Sequence, residues 1–454
     1  MKYYDVVVIG GGPAGLASAI SSFDNGSKVC LIEREARLGG ILKQCIHDGF
    51  GSINFKENLS GPEYSQRYID EFIKDEIDCL LSTYVTNIKR EDKNFILSFV
   101  NKNGLDYIQC KALILATGCR ERTVKQVDIN GDRPSGVFSA GTAQNYVNIL
   151  GEKIGKKIVI LGSGDIGLIM ARRLTLEGCD VVGVYEVMNH PSGLPRNIRQ
   201  CLIDYNIPLH LSTTITKVFG RERVEKVEIC KVDEHMNLIE DSKEIIECDT
   251  LIASVGLIPE NELAESLHIE IDPKTKGPLC DKNFETSIEG IFCCGNCHHV
   301  YDLVDYVSQS GVIAGKAASE YVKGNLKKEE RISINLPSKK IYDPNKLVCI
   351  MCPNGCELEF QGDEVLGNKC ERGKKFALDE LNNPKRSVCT YVKTTFKDRP
   401  TLSVRTSNPI DKGLIFEVMK QINKITVDKH VDVGEVLIKN VLNTEVDIIA
   451  TSKI

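Results

Sequence analysis

The sequence has no long apolar run and no excess of charge of either sign. No stretch approaches the roughly 18 apolar residues that a membrane-spanning helix needs, so a transmembrane span is not expected. The formal net charge is −6 with acidic and basic residues well mixed, so neither a nucleic-acid-binding face nor a polybasic membrane anchor is predicted. A strand-like pattern begins within a few residues of Met1 and leaves no room for a signal peptide. We therefore expect a cytoplasmic protein.

Low-complexity tracts are also missing, and no internal repeat is found apart from the two glycine-rich units described next. The 454 residues, 42% of them hydrophobic, are enough for about three domains of ordinary size. The chain has 18 cysteines. Since no export signal is found, we expect these thiols in a reducing cytosol, as metal ligands or redox groups rather than as disulfides.

The first glycine-rich unit follows an apolar run at 5–9. A helix-like stretch starts at Leu16, and a second apolar run at 28–32 ends at Glu33. The motif itself is Gly10, Gly11, Gly12, Pro13, Ala14 and Gly15. Glycine is needed there because only a residue without Cβ lets the backbone turn tightly and approach a pyrophosphate. The order of these parts predicts a βαβ unit that binds a dinucleotide at the helix N-terminus, with Glu33 on the ribose hydroxyls.

The second unit repeats this order about 150 residues later. It has an apolar run at 157–161, a helix through Leu174 and a run at 181–185 that ends at Glu186. Its motif positions are Gly162, Gly164, Ile166 and Gly167. At about 4 Å and an effective dielectric constant of about 20, the Glu186 carboxylate would repel a 2′-phosphate by roughly 4 kcal/mol per unit charge. We therefore expect NADH to be favoured over NADPH, although Arg196 and Arg199 would offset part of this repulsion.

Further motifs stand between and after the two units. A buried strand at 112–115 ends in Ala116, Thr117 and Gly118, and a similar run from 250 ends at Gly256. A late turn at 290–296 precedes a helix predicted over 306–318. With these residues the chain resembles the flavoproteins with two dinucleotide-binding domains, the oxidoreductases similar to thioredoxin reductase and glutathione reductase.

The resemblance covers about residues 1–325. It implies an α/β fold with two Rossmann-like domains, FAD on the first unit and NAD(H) on the second. The FAD domain would comprise 1–119 and 250–323, with the NAD domain, 120–249, inserted between them. Further FAD-binding positions implied are Gly39, Gly40, Gly295, Asn296 and Val304. The family's usual aspartate is Asn296 here, and a neutral amide can still bond a ribityl hydroxyl.

A second flavin-side cysteine is missing. Disulfide reductases need two thiols a few residues apart, whereas residues 41–51 hold only Cys45 and the NAD domain has no C-x-x-C. Cys45 could support NADH oxidase or peroxidase chemistry through a sulfenic acid, or be a small buried apolar residue. His47 could bond the flavin or accept its proton, or be structural. Cys294 and Cys297 are a second candidate pair, with packing as the alternative.

Residues 39–47 and 295–306 look like one subgroup of these flavoproteins. It is the subgroup encoded beside FAD-dependent glycerol-3-phosphate dehydrogenases in anaerobes, and it is related to subunits of amino-acid and opine dehydrogenases. This resemblance implies an electron carrier between NAD(H) and a partner dehydrogenase, and hence an oligomer or complex. A stand-alone NADH oxidase or peroxidase using Cys45 is the alternative.

The charged segment 324–344 is predicted to be a linker to a small α+β Cys-rich domain at 345–454. The candidate metal ligands are Cys349, Cys352, Cys356 and Cys370. Four thiolates can hold a 4Fe-4S cluster or zinc. Three ligands in one loop and a fourth from a hairpin end favour the cluster, and a zinc-stabilised docking domain or unmetallated thiols are the alternatives. Cys389 is expected to be buried rather than ligating.

Overall fold

The computed structural model describes residues 1–334, 346–362 and 364–454. The chain forms two compact units. The first contains residues 1–45, 50–120 and the described residues from 257 to 334; the second contains 46–49, 121–256 and the described residues from 346 onward. The predicted linker, 324–344, lies partly outside the described residues. Within the described part of the chain, no helix is long and apolar enough to cross a bilayer.

The helices and strands are numbered in chain order. The helices are α1 Pro13–Asp24, α2 Gly61–Lys74, α3 Ala140–Asn148, α4 Asp165–Leu176, α5 Pro195–Cys201, α6 Glu262–Ser266, α7 Val304–Lys323, α8 Glu371–Asn382 and α9 Ile415–Ile422. The strands up to residue 161 are β1 Lys2–Ile9, β2 Val29–Ile32, β3 Asp48–Phe50, β4 Leu59–Ser60, β5 Asp78–Leu80, β6 Tyr84–Glu91, β7 Asn94–Asn101, β8 Gly104–Leu115, β9 Cys119–Glu121, β10 Asn130–Gly131, β11 Val137–Ser139 and β12 Lys157–Leu161.

The later strands fall into two groups. Those before residue 300 are β13 Asp180–Tyr185, β14 Leu209–His210, β15 Thr213–Phe219, β16 Lys226–Lys231, β17 Glu244–Glu247, β18 Thr250–Ala253, β19 Leu257–Pro259 and β20 Ile291–Cys293. Those after it are β21 Leu347–Val348, β22 Glu357–Gln361, β23 Glu364–Leu366, β24 Lys385–Arg386, β25 Cys389–Thr394, β26 Thr401–Thr406, β27 Ile410–Asp411, β28 Thr426–Val427, β29 Val436–Ile438 and β30 Ile448–Ala450.

The first unit is built on a sheet in the order β5-β2-β1-β8-β7-β6, with β20 also paired to β8. Strands β5, β2, β1, β8 and β20 run parallel, as the buried apolar runs predict for a sheet covered on both faces. Helix α1 packs closely on α7. Gly311 and Gly315 permit this, because a Cβ on either would collide with a carbonyl oxygen of α1, that of Ala14 or Ser18.

The second unit contains a parallel sheet in the order β11-β18-β12-β13-β14. A smaller sheet, β10-β15-β16-β17, completes its NAD half, residues 121–256. Both units thus repeat one arrangement, in which a glycine-rich turn joins a central parallel strand to the next helix. The α/β fold class predicted from the sequence is confirmed.

The C-terminal part, 346–454, shares the second unit with the NAD half. Its largest sheet is β28-β25-β26-β30-β29. Val348 packs in the hydrophobic core around α4, and Leu176 of α4 packs in the core of the C-terminal sheet. The two parts therefore bury apolar side chains against each other.

Buried ion pairs join the same two parts. The Arg386 guanidinium donates to the Asp204 carboxylate at 2.5 and 3.0 Å and to the Glu380 carboxylate at 2.7 and 2.8 Å. Arg199 also binds Glu380, at 2.9 Å, and Lys412 binds Asp204, at 2.8 Å. All five charged groups have partners, so no charge of this network is left unpaired.

Candidate functional site

The first glycine-rich turn is closed on one side and open on the other. Gly10 has a φ of +110°, and a Cβ there would collide with the carbonyl of Ala116. A Cβ on Gly15 would collide with the carbonyl of Gly10. At Gly12, by contrast, the nearest atom to a Cβ would be 3.9 Å away, and no side-chain hydrogen bond caps α1 there. The turn therefore leaves the N-terminus of α1 without a side-chain cap and with space beside Gly12, as pyrophosphate binding requires.

Glu33 and the Gly39-Gly40 pair lie against this turn. The Glu33 carboxylate is buried and accepts hydrogen bonds from the backbone N–H of Gly11 at 2.6 Å and of Glu35 at 2.8 Å. The N–H of Gly39 donates to the carbonyl of Gly11, and a Cβ on Gly40 would lie 2.9 Å from the Cα of Gly12. The structure thus brings these predicted residues together at one edge of the sheet.

The late turn at 290–296 lies against the first glycine-rich turn. Gly295 has a φ of +67°, and a Cβ on it would lie 2.6 Å from that of Ala14. The Asn296 side chain accepts from the N–H of Tyr301 at 3.1 Å, and Val304 begins α7. The Thr117 hydroxyl donates to the Glu260 carbonyl at 2.9 Å, next to the left-handed Gly118. The N-termini of α1 and α7, with these turns, form the candidate flavin site.

The structure does not pair Cys294 with Cys297. The two side chains belong to hydrophobic clusters on opposite faces of the first sheet. Cys297 instead hydrogen-bonds with Cys293, and this bond lowers the pKa of Cys297. The Thr117 hydroxyl also lies 3.0 Å from the Cys297 sulfur. Since Cys294 and Cys297 lie in different clusters, their role as a redox pair stays a prediction.

Cys45 lies in an apolar cluster with Leu42, Leu59 and Tyr64. Burial raises the pKa of the Cys45 thiol to about 12. The thiolate is the nucleophilic form of cysteine, so a neutral thiol here is a weak candidate for sulfenic acid chemistry.

His47 belongs to the second unit, whereas Cys45 belongs to the first. It lines a small cavity beside α4. Its Nδ1 lies 2.9 Å from the carbonyl oxygen of Asp48. Burial lowers the pKa of His47 to about 4, so the ring is neutral at physiological pH. Its predicted contact with the flavin stays a prediction.

The second glycine-rich turn has the same construction as the first. Gly162 has a φ of +97°, and a Cβ there would collide with the carbonyl of Ser254. A Cβ on Gly167 would lie 2.5 Å from the carbonyl of Gly162, whereas Gly164 has no atom within 4 Å of that position. Gly164 also caps α4 without a side-chain bond. The exposed N-terminus of α4 fits the pyrophosphate of a second dinucleotide.

Two other predicted residues of the second site support this turn. Ile166 packs against the core around α4. Gly256 has a φ of +105°, a backbone conformation that favours glycine. Both residues therefore shape the site through packing and backbone conformation.

Both carboxylate oxygens of Glu186 accept hydrogen bonds. One carboxylate oxygen accepts from the Ser163 N–H at 3.0 Å, the Ser163 hydroxyl at 2.5 Å and the Ser192 hydroxyl at 3.0 Å. The other accepts from the Met188 N–H at 3.1 Å. The residue is 5% exposed. The fixed negative charge therefore stands beside the turn, at the position predicted to select NADH.

Segment 192–197 borders this site, and the sequence predicted only Arg196 of it. Asp165, in the first turn of α4, accepts from the Leu194 N–H at 2.7 Å and from the Asn197 amide at 2.8 Å. A Cβ on Gly355, within the cysteine loop, would lie 3.4 Å from Pro195. The Asp165 that follows the G-S-G motif was the signal from which the contacts to Leu194 and Asn197 could have been expected.

Two of the four candidate metal ligands, Cys349 and Cys370, lie at the start of α8. Cys349 is buried, and its N–H donates to the Cys356 carbonyl at 2.9 Å. Burial and, to a smaller extent, the neighbouring Cys352, Cys356 and Cys370 raise the pKa of Cys349 to about 11. Cys370 caps α8, where the Gly373 N–H lowers its pKa. The thiols thus interact electrostatically.

These thiols do not converge on a shared metal position. In the described part of the chain, no group of three or more His, Cys, Asp or Glu side chains is arranged to hold a metal ion. Four thiols are a donor set that suits an iron–sulfur cluster or zinc, but their arrangement in the structure does not suit either group. The metal centre therefore stays a prediction.

Comparison with known proteins agrees with the two-nucleotide fold. Residues 4–311 match the family described as pyridine nucleotide-disulphide oxidoreductase, and residues 371–452 match a family described as protein of unknown function (DUF1667). The thioredoxin reductase of Lactococcus lactis aligns with a TM-score of 0.58 at 20% identity, over 71% of this chain and 99% of that one. This likeness shows the fold alone.

Curated relatives cover the same region. The NADH oxidase of Methanocaldococcus jannaschii is 28% identical over 340 residues, 70% of either chain. One of the opine oxidase subunits of Agrobacterium tumefaciens is 21% identical over 344 residues, 72% of this chain and 66% of that protein. The chain spans 63% of the mitochondrial dihydrolipoyl dehydrogenase of Caenorhabditis elegans and 28% of the alpha subunit of a Corynebacterium sarcosine oxidase. It thus spans less than two thirds of the first relatives it matches.

Proposed function

This chain belongs to the pyridine nucleotide-disulphide oxidoreductase family and is an FAD-dependent pyridine-nucleotide oxidoreductase, and from this premise we propose that it acts as an electron-transfer component. Electrons would pass between NAD(H), FAD and an iron–sulfur cluster, to or from a partner dehydrogenase. One observation carries this choice over disulfide reduction. The flavin-side segment 41–51 has a single thiol, Cys45, and burial raises its pKa to about 12.

The chain's own residues bind and orient the two nucleotides. The uncapped N-terminus of α1 would hold the FAD pyrophosphate, with Glu33 on the ribose and Asn296 on the ribityl chain. The N-terminus of α4 would hold that of NADH, with Glu186 beside the adenosine ribose. Bound FAD supplies the change between two-electron and one-electron transfer. Each cofactor would be oriented by its own glycine-rich turn.

The partner is proposed from two kinds of support. Two relatives are named as subunits, one of an opine oxidase and one of a sarcosine oxidase. The resemblance of residues 39–47 and 295–306 to one flavoprotein subgroup points to a glycerol-3-phosphate dehydrogenase. Mass spectrometry of proteins that co-purify with this chain from native cells tests this, and recovery of the chain without a dehydrogenase would count against it.

The cluster is proposed on the four-thiol donor set and its three-plus-one spacing. Since the described side chains do not converge on one point, binding would require them to move. Protein purified without oxygen should contain about four irons and four acid-labile sulfides per chain, as a 4Fe-4S cluster requires. C370S should lose both, whereas C389S, which removes a buried thiol outside the set, should keep them. Zinc without sulfide would instead support the docking-domain alternative.

A second candidate function is favoured by the NADH oxidase relative. A stand-alone oxidase or peroxidase would use Cys45 as the thiol that reacts with peroxide. C45S separates the two functions. In the electron-transfer proposal this variant has the same rates of NADH-dependent dye reduction, and of any reaction with oxygen or peroxide, as the unchanged protein. Loss of oxygen or peroxide turnover with dye reduction intact would support the oxidase instead.

A further inference from the structure

Cys119 stands directly after the turn formed by Ala116, Thr117 and Gly118, and it begins strand β9. The amide nitrogen of Asn296 donates to the Cys119 sulfur at 3.6 Å. A thiol sulfur is a weak acceptor, but both residues are half-buried, where water competes less for the amide. The two residues are 177 positions apart in the sequence, so this bond joins two of the turns that form the candidate flavin site.

Two contacts determine the orientation of the Asn296 amide. Its oxygen accepts from the backbone N–H of Tyr301 at 3.1 Å, and a backbone N–H can only donate. The amide nitrogen therefore lies on the other side, toward Cys119. This nitrogen carries two hydrogens, and in the part of the chain that the structure describes no acceptor is found for the second one. Asn296 can therefore donate to a ligand, which an ionised aspartate in its place could not do.

Close packing fixes the backbone on the N-terminal side of Asn296. A Cβ on Gly295 would lie 2.6 Å from that of Ala14, and the Gly295 N–H donates to the Ser310 hydroxyl at 2.9 Å. The Asn296 side chain, by contrast, has the two bonds described above. Only the bond to Cys119 involves a second side chain, so a substitution can remove that bond and leave the backbone contacts in place.

We propose that Cys119 is a positioning residue for FAD. Its sulfur accepts one Nδ2 hydrogen of Asn296 and so directs the second hydrogen toward an oxygen of the ribityl or pyrophosphate part of FAD. Cys119 thus acts through Asn296 rather than by touching the cofactor. The inference rests on the proposed function, because it requires that Asn296 contacts FAD.

The FAD dissociation constant tests this, measured by flavin fluorescence on serial dilution of the full FAD-loaded chain. C119A removes the acceptor, and we expect its affinity for FAD to fall about three- to tenfold, the equivalent of one hydrogen bond. C119S keeps an acceptor at this position and should stay within about twofold of the unchanged protein. C110A gives the control, because it removes a buried thiol that pairs across the sheet with Tyr4, and it should leave the dissociation constant unchanged.

A double-mutant cycle separates positioning from direct binding. N296A should weaken FAD binding, and the addition of C119A to N296A should weaken it no further. Additive losses, or full affinity in C119A while N296A is impaired, would overturn the role of Cys119 and leave the proposed function in place. Full affinity in N296A would instead overturn the proposed contact of Asn296 with FAD, and this inference with it.

A crystal structure of the unchanged protein with FAD provides a test that needs no variant. We expect the Nδ2 of Asn296 within hydrogen-bond distance of both the Cys119 sulfur and an FAD oxygen. An Asn296 amide turned away from Cys119 in the FAD-bound protein would also overturn the proposal, whether or not C119A folds.

Discussion

Replacement of Glu186 by glutamine should change the preference between the two nicotinamide nucleotides. The buried carboxylate has four hydrogen-bond donors around it, from Ser163, Ser192 and Met188. Glutamine keeps one oxygen for these donors and removes the negative charge. Alanine would leave the donors unsatisfied and disturb the turn itself, at a cost of about 1–3 kcal/mol for each buried group. E186Q is therefore the cleaner substitution.

The magnitude follows from the charge beside the turn. A 2′-phosphate about 4 Å from the carboxylate, at an effective dielectric constant of about 20, is repelled by roughly 4 kcal/mol per unit charge. Arg199 does not offset this, because it is paired with Glu380 at 2.9 Å. Removal of the charge should raise the ratio of kcat/KM for NADPH to that for NADH by about a thousandfold.

Steady-state reduction of an artificial dye by each nucleotide measures this ratio. Glu33 gives a matched control, because its carboxylate accepts from the N–H of its own glycine turn at 2.6 Å, as that of Glu186 does at 3.0 Å. E33Q, assayed with saturating FAD, should leave the nucleotide ratio unchanged. An unchanged ratio in E186Q, or equal losses with both nucleotides, would refute the assignment of Glu186 to the ribose.

Three further outcomes are expected. G164A should fold normally, because no atom lies within 4 Å of the added Cβ, but its KM for NADH should rise because the pyrophosphate can no longer approach the backbone; calorimetry and dye assays separate the two effects. R386M should lower the free energy of unfolding by up to about 3–5 kcal/mol, since two buried carboxylates each lose one of their two cationic partners, while K420M at an exposed pair should have little effect in the same urea titration. Burial raises the pKa of Asp204, but its bonds to Arg386 and Lys412 lower that pKa overall. The stabilisation by these bonds should therefore be present above the ordinary pKa of 3.8 and should be lost as the pH falls through the lower pKa of the folded state. A free energy of unfolding that does not change on acidification would contradict this.

The two nucleotide units were predictable because their signals are local. Each needs a strand, a turn without Cβ atoms and a helix in sequence order, and the structure has them at β1 and α1 and at β12 and α4. The helix predicted over 306–318 is the central part of α7, Val304–Lys323. The tight contact that Gly311 and Gly315 permit was not predicted, because it depends on which helix lies opposite.

The surroundings of the site were less predictable because they depend on contacts between distant residues. His47 is separated from Cys45 by one residue, yet a segment of four residues, 46–49, belongs to the other unit. No periodic pattern marks so short a segment. Likewise, the donors around Glu186 come from turns whose conformations are set by packing. The positions of the four thiols were read from spacing, but spacing alone did not determine whether their sulfur atoms converge.

The NAD half and the C-terminal part share apolar contacts, so deletion of the C-terminal part cannot test electron transfer alone. A chain cut before residue 346 would expose Leu176 to water and leave the Asp204 carboxylate without Arg386. Such a fragment would aggregate or unfold for reasons unrelated to electron transfer. Single substitutions at the thiols, which leave that core covered, are thus the informative way to separate catalysis from folding in this protein.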